Sequence, residues 1–404
     1  MNRRLSDTVS QAWDDLPDTA RQGLMKWLDR LPGGLKAWRG LVDQAAEHVM
    51  LAAGDKHTVA ILGPANAGKS TLYNLLIHPG QAPAAVSAVP GTTRVASAAD
   101  AGVFQIVDTP GADAVGSVGE DERQRAMAAG GDADLVVLLL DATHGVREPE
   151  RQLLRDVRGL DRPFLMALNK MDVIPAKDAA AVVGKAAGDL GVSSDEIIAL
   201  SARKGTGVER LLAGMVRSEP AIVAALGRAL PAYRWSLSQT VIARSASAAA
   251  AIAVTPLPFV DFLPLLGVQT AMVISIARIY TYRITLSRAR ELVATFGAAV
   301  LGRTLFYELS KLGGPPGWLV AAGVAVGTTA ALGYASAVWF ERGARLAPED
   351  IRKIARATSE SVVDRLKDLG RRRPKRVTLK ERVDRALQDL PEPDTDSASS
   401  PAED

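Results

Sequence analysis

The apolar run Val59-Ala60-Ile61-Leu62 leads directly into Gly63-Pro64-Ala65-Asn66-Ala67-Gly68-Lys69-Ser70, and Thr71-Leu72-Tyr73-Asn74-Leu75-Leu76 follows with helical spacing. No other stretch restricts the fold as much. It reads G-x-x-x-x-G-K-[ST] in the strand–loop–helix context that gives this pattern its meaning. Glycines let backbone N–H groups curl around phosphate oxygens, and the helix behind them points its positive end at the same place. Lys69 then reaches the β- and γ-phosphates, and the Ser70 hydroxyl is a ligand for Mg²⁺.

Around this loop, residues 55–218 alternate short apolar runs with helical patterns. The runs are Thr58–Leu62, Val103–Val107, Leu135–Leu140, Phe164–Leu168 and Ile197–Leu200. Strand, helix and strand again predicts an α/β domain, a doubly wound and mostly parallel sheet with helices on both faces. Three further motifs fall at strand ends. Asp108-Thr109-Pro110-Gly111 is read as following the second run; its Asp holds Mg²⁺ through water, and Gly111 offers an N–H to a γ-phosphate. Asn169-Lys170-Met171-Asp172 follows the fourth, where Asp172 accepts both N–H donors of a guanine edge and leaves adenine unpaired. Ser201-Ala202-Arg203 completes a base-binding turn after the fifth.

With these motifs in order, residues 58–215 resemble the Era/TrmE-like branch of the translation-factor class of P-loop GTPases. The resemblance rests on GPANAGKST, on Pro90-Gly91-Thr92-Thr93-Arg94, on DTPG, on NKMD and on SARKGTG. It implies a Ras-like domain that binds GTP and GDP with Mg²⁺. The nucleotide contacts would be Gly63, Asn66, Ala67, Gly68, Lys69, Ser70, Thr71, Asp108, Gly111, Asn169, Lys170, Asp172, Ser201, Ala202 and Arg203. The metal would be held by Ser70, Thr93 and Asp108, with Thr93 closing on it in a first switch segment and Thr92 beside it. Lys69, Thr93 and Gly111 would act in hydrolysis. Gly111 is followed by Ala112-Asp113-Ala114, so no glutamine stands where a Ras-like enzyme orients its water. Relatives with Asn at the position of Asn66 use K⁺ in place of an arginine finger; Asn66 as a plain loop cap is the other reading, and Arg94 is either a finger or structural.

Residues 219–345 carry the apolar excess of a chain whose mean hydropathy is +0.07. From Ser245 to Ala277 there is one charge, Asp261, and from Gly317 to Phe340 there is none. As a helix the second stretch would be about 36 Å long, enough to span a bilayer. Pro256, Pro258 and Pro264 break the earlier stretch into two short helices around an elbow, and Arg278, Arg283, Arg288 and Arg290 are expected to line a following helix. The region reads either as a buried helical core or as membrane-inserted helices. It resembles the YcjF-type hydrophobic domain through P-x-P-x-x-D, Ile276–Tyr282 and Gly317–Val320, and that resemblance implies an all-α, membrane-associated domain.

The ends differ again. Residues 1–54 read as amphipathic helices that either cap a neighbouring domain or bind a membrane or partner. Residues 346–404 read as a charged helix, a basic knot at Arg371-Arg372-Arg373-Pro374-Lys375-Arg376 and a disordered acidic tail. The knot is a solvated helix end, an anionic-lipid contact or an RNA contact. No secretory leader is read at the start. With no cysteine and four scattered histidines, disulfides, thiolate zinc sites, iron–sulfur clusters and cysteine catalysis are excluded. Lys and Arg number 48 against 45 Asp and Glu, which argues against a field over the whole protein for nucleic acid.

The expectation is a GTP-hydrolysing molecular switch at the cytoplasmic face of the inner membrane, with an unidentified protein effector and a nucleotide-dependent dimer among its partners. The rival readings are an RNA-binding ribosome-assembly GTPase, against which stands the absence of a recognisable KH domain after residue 218, and a membrane-remodelling GTPase.

Overall fold

The computed structural model describes residues 56, 58–78, 102–109, 117–254, 262–285, 287–290, 293, 317–343, 348–366, 382–383 and 387. These divide into two compact units, one within 54–240 plus 277–282, the other from 241–276 and from 283 onward.

The first unit is built on a five-stranded sheet in the order β2-β1-β3-β4-β5. The strands are β1 (Val59–Pro64), β2 (Phe104–Thr109), β3 (Leu135–Asp141), β4 (Phe164–Asn169) and β5 (Ile197–Ala199), and every pairing is parallel. A parallel strand covered on both faces must be apolar throughout rather than alternating. Accordingly every residue of β3 is buried, as are five of the six in β1. Helices α1 (Lys69–Ile77), α2 (Ser117–Asp132), α3 (Glu148–Arg158) and α4 (Ala179–Leu190) make the four crossovers, and α5 (Val208–Ser218) follows β5. Leu153, Leu154 and Val157 of α3 and Ala186, Ala187 and Leu190 of α4 pack on Leu138, Leu140 and Leu168 of the sheet.

Strand order reverses between β1 and β3, and ligands of such sheets bind where this happens, at the carboxyl ends of the strands. One boundary differs from the sequence reading. β2 runs on through Asp108 and Thr109, because the register with β1 continues from Gly63↔Asp108 to Pro64↔Thr109. Asp108 is thus strand backbone beside the first loop glycine rather than the start of a loop.

Short helix α6 (Val223–Ala229) follows, then α7 (Arg234–Val254), α8 (Phe262–Ile279), α9 (Gly317–Arg342) and α10 (Pro348–Leu366). In the second unit Gly333 of α9 faces Ile242 and Met272, and Gln269 donates to Thr329 at 3.2 Å. α10 lies on α9 through small residues. A Cβ on Gly327 would strike Ser359 Oγ and the Ala355 carbonyl, so the two backbones approach as closely as they do only because this position has no side chain. α10 is amphipathic, with Ile351, Ala355, Val362 and Val363 buried and Arg352, Lys353, Arg356 and Arg365 exposed.

The arginine expectation needs correction. Arg278 sits in the last turn of α8 and Arg283 in a non-helical segment, while Arg288 and Arg290 fall on a later helical stretch at 287–290, so the four do not line one helix. Thr281, at φ 69°, reverses the chain after α8 and separates them. The N-terminal helices, Pro256 and Pro258 of the elbow and the basic knot lie outside the described residues, whereas Pro264 sits in the first turn of α8, where a proline is tolerated, and does not break it.

Candidate functional site: a phosphate loop joined to a base pocket

The loop between β1 and α1 holds Asn66 at φ 64° and Gly68 at φ 91°, both left-handed. Gly68 has a second reason to be glycine: a Cβ there would run into the Asn169 side-chain amide. Ala67 and Lys69 are buried, Ser70 and Thr71 half-buried in the first turn of α1, and Asn66 exposed at the loop tip. No acidic residue lies in that first turn to offset its positive end. The Lys69 ammonium donates to the carbonyls of Gly63 and Pro64, both at 2.7 Å, so its charge is held inside the curl of the loop.

Asn169, at the end of β4 and 2% exposed, ties this loop to the rest of the site. Its Nδ2 donates to the Ala67 carbonyl at 2.8 Å, and its Oδ1 accepts from the Ala202 backbone N–H at 2.9 Å. One side chain thus links three segments far apart in sequence. Asp172 follows in a single turn of 3₁₀ helix (Met171–Val173), and the Ser201 hydroxyl donates to its Oδ1 at 2.6 Å. Ser201 is buried; its hydroxyl also accepts from the Lys204 N–H at 3.1 Å, which sets the turn in which Arg203 is exposed. The other oxygen of Asp172 therefore remains an acceptor in a fixed position.

Sequence reasoning missed a third group. Asp141, at the end of β3, is buried and accepts from Lys170 Nζ at 2.6 Å, the Thr143 N–H at 2.8 Å and the Thr143 hydroxyl at 2.7 Å, with His144 Nδ1 at 3.0 Å. Burial raises the pKa of this carboxyl, but the bonds from Lys170, Thr143 and His144 outweigh it and leave the value below the ordinary one. An acid closing an otherwise apolar strand was the available signal. The Thr109 hydroxyl is buried at the end of β2 and has no partner among the described residues. Thr93 and Gly111 lie outside the described residues, as does the Asp108 side chain.

Fold and site together define a P-loop nucleotide-binding domain whose phosphate loop is bonded, through Asn169, to the turn after β5. Residues 58–170 match the family model described as 50S ribosome-binding GTPase, and residues 226–365 match a domain of unknown function, DUF697. GTPase Der of Solidesulfovibrio magneticus is 35% identical over 165 residues, 38% of this chain and 36% of that protein. The tRNA modification GTPase MnmE of Moorella thermoacetica is 36% identical over 163 residues, 38% of this chain and 33% of that protein. Among solved structures, Aquifex aeolicus Era bound to GDP and AlF₄⁻ aligns at 24% identity and a TM-score of 0.32, covering 48% of this chain and 67% of that one. The chain spans about a third of the length of these two curated relatives. Residues 58–170 are a GTPase domain of the kind found in Era, Der and MnmE, and a DUF697 domain of YcjF type lies C-terminal to it.

Proposed function

We propose that this chain binds GTP and hydrolyses it to GDP and phosphate, and that it does so as a molecular switch at the cytoplasmic face of the membrane. The observation that carries the nucleotide reading is Asn169, which bonds the phosphate loop and the base turn in one arrangement. Asp172, fixed by Ser201, supplies the acceptor for the two N–H groups of guanine. A base lacking those donors would leave the carboxylate desolvated and unpaired, at a cost that discriminates strongly. Backbone N–H groups from Ala67 through Thr71 and the N-terminus of α1 receive the phosphates, and the Lys69 ammonium turns from its loop carbonyls to the β- and γ-phosphate oxygens.

The donor set fits Mg²⁺: the Ser70 hydroxyl and the carboxylate and hydroxyl of Asp108 and Thr93 are hard oxygen ligands, and the β1–β2 register places Asp108 beside Gly63. When bound, the ion offsets charge on the β- and γ-phosphates. In hydrolysis a water attacks the γ-phosphorus and the bond to the β–γ bridging oxygen breaks, leaving GDP. Lys69 and the Gly111 N–H stabilise the charge spread over the phosphoryl oxygens. Asn66, exposed in a left-handed conformation, would supply its amide oxygen to a K⁺ ion, whose charge would offset the negative charge developing on the leaving diphosphate.

For the membrane part, support comes from α9, whose stretch Trp318–Arg342 has the length and apolarity of a span. Of its most apolar window, 83% is already buried within the protein, and α10, which covers it, exposes Arg352, Lys353, Arg356 and Arg365. Drawing such a helix into lipid beside α9 would cost about 12 kcal/mol, at about 3 kcal/mol for each of these four charges. We therefore read the attachment as peripheral. The family description of residues 58–170 favours the ribosome as the second reading.

Two experiments separate these parts. Titration with fluorescent GDP and ADP is expected to show binding of the guanine nucleotide alone, and Asp172→Asn to move the preference to xanthine, whose 2-oxo group accepts where guanine donates. Equal binding of ADP overturns the guanine reading. In fractionated cells, recovery on membranes with release by carbonate is expected; co-sedimentation with 50S subunits instead supports the ribosome.

A further inference from the structure

The two charged residues of Asn169-Lys170-Met171-Asp172 are tied to opposite neighbours of β4. Lys170 reaches back to Asp141 on β3, at 2.6 Å, while Asp172 is held by Ser201, just past β5, also at 2.6 Å. The sheet order β3-β4-β5 means that these ties pull apart across the carboxyl end of β4. The edge-reading carboxylate is thus held toward β5 and the lysine ammonium toward β3. Lys170 begins from φ 65°, a backbone state that few non-glycine residues adopt, and its side chain is 31% exposed. The carboxylate that fixes its ammonium is itself over-determined, with Thr143 bonding it twice and His144 bonding its second oxygen. The register Asp141↔Asn169 sets this group beside the residue preceding Lys170.

We propose that Asp141 is a positioning residue for the nucleotide base: it anchors the Lys170 ammonium so that the methylene stem of the lysine forms the wall against which the purine ring lies. This rests on the guanine-nucleotide reading of the same site. A lysine stem offers apolar surface while its charge stays bonded elsewhere, and it meets the face of the ring, which is common to all purines. Asp172 meets the edge, which is not. Without its anchor the stem must be ordered at binding, and that lost entropy lowers the affinity.

The test is a double-mutant cycle on the full chain, read by the affinities for GDP and IDP, the latter lacking the 2-amino group. Asp141→Asn is expected to weaken both nucleotides by the same factor, about tenfold, the scale of one charge-assisted hydrogen bond. The GDP-to-IDP ratio stays fixed, whereas substitutions at Asp172 change it. Lys170→Met, which keeps a stem and loses the anchor, is expected to reproduce the loss, and adding Asp141→Asn to it costs less than about twofold more. If Asp141→Asn causes the same loss whether Lys170 is present or already replaced by methionine, Asp141 acts on the fold and the proposal is overturned. A changed GDP-to-IDP ratio or an unaltered affinity overturns it as well. A wild-type chain that binds neither nucleotide would sink the functional reading itself, a result distinct from all of these.

Discussion

Replacing Asn169 with alanine removes, among the described residues, the one side chain that bonds both the phosphate loop and the base turn. Two hydrogen bonds are lost, at 2.8 and 2.9 Å, and each leaves a backbone group, the Ala67 carbonyl or the Ala202 N–H, without its buried partner. At about 1.5 kcal/mol for each, the loss is about 3 kcal/mol, or roughly a hundredfold in an equilibrium constant. The cost falls mainly on nucleotide affinity. In the empty protein both loops can relax toward water; with nucleotide bound they must return to one fixed separation. Titration with fluorescent GDP checks this, while circular dichroism and the urea midpoint of the first unit report whether the sheet is intact. A change in affinity under about threefold, with the fold unaltered, would show that the two loops are positioned by something other than Asn169.

Three further outcomes follow from other parts of the molecule. Because the folded pKa of Asp141 is depressed, its stabilising contribution is complete above the ordinary carboxylate range and lost as pH falls through the folded value; the difference in urea midpoint between wild type and Asp141→Asn should therefore be constant near neutrality and shrink below about pH 4. Gly327→Val drives a branched side chain into Ser359 and the Ala355 carbonyl; it should cost the helical unit about 2 kcal/mol, read through the fluorescence of Trp318 and Trp339, and leave GDP affinity as it was. Exchanging K⁺ for Na⁺ at fixed ionic strength should slow GTP turnover by about tenfold or more, and Asn66→Ala should erase the difference.

How far the sequence discloses this molecule depends on the range of the interaction. Strands β1, β3 and β4 stand out because a parallel strand buried on both faces is apolar without interruption, and the loop after β1 carries glycine where backbone must turn left-handed. Asp172 and Ser201 are each legible as motif members, since the chemistry of a guanine edge requires an acceptor. The end of β2 is not legible because Asp108 and Thr109 are polar, and what extends the strand is its pairing with Gly63 and Pro64. The tie from Lys170 to Asp141 is invisible for the same reason: it joins residues 29 apart at the ends of adjacent strands. In the apolar region composition alone leaves a span and a core helix open, because Gly327 is compatible with both. Only the close approach of Ala355 and Ser359 shows what covers it.

The most direct test of the central claim is release of inorganic phosphate by the purified full chain with Mg²⁺, comparing GTP, ATP and the Lys69→Met variant. The site described above predicts release from GTP, little from ATP, and none above background without the Lys69 ammonium. Equal release from ATP, or release from GTP that survives Lys69→Met, would contradict it.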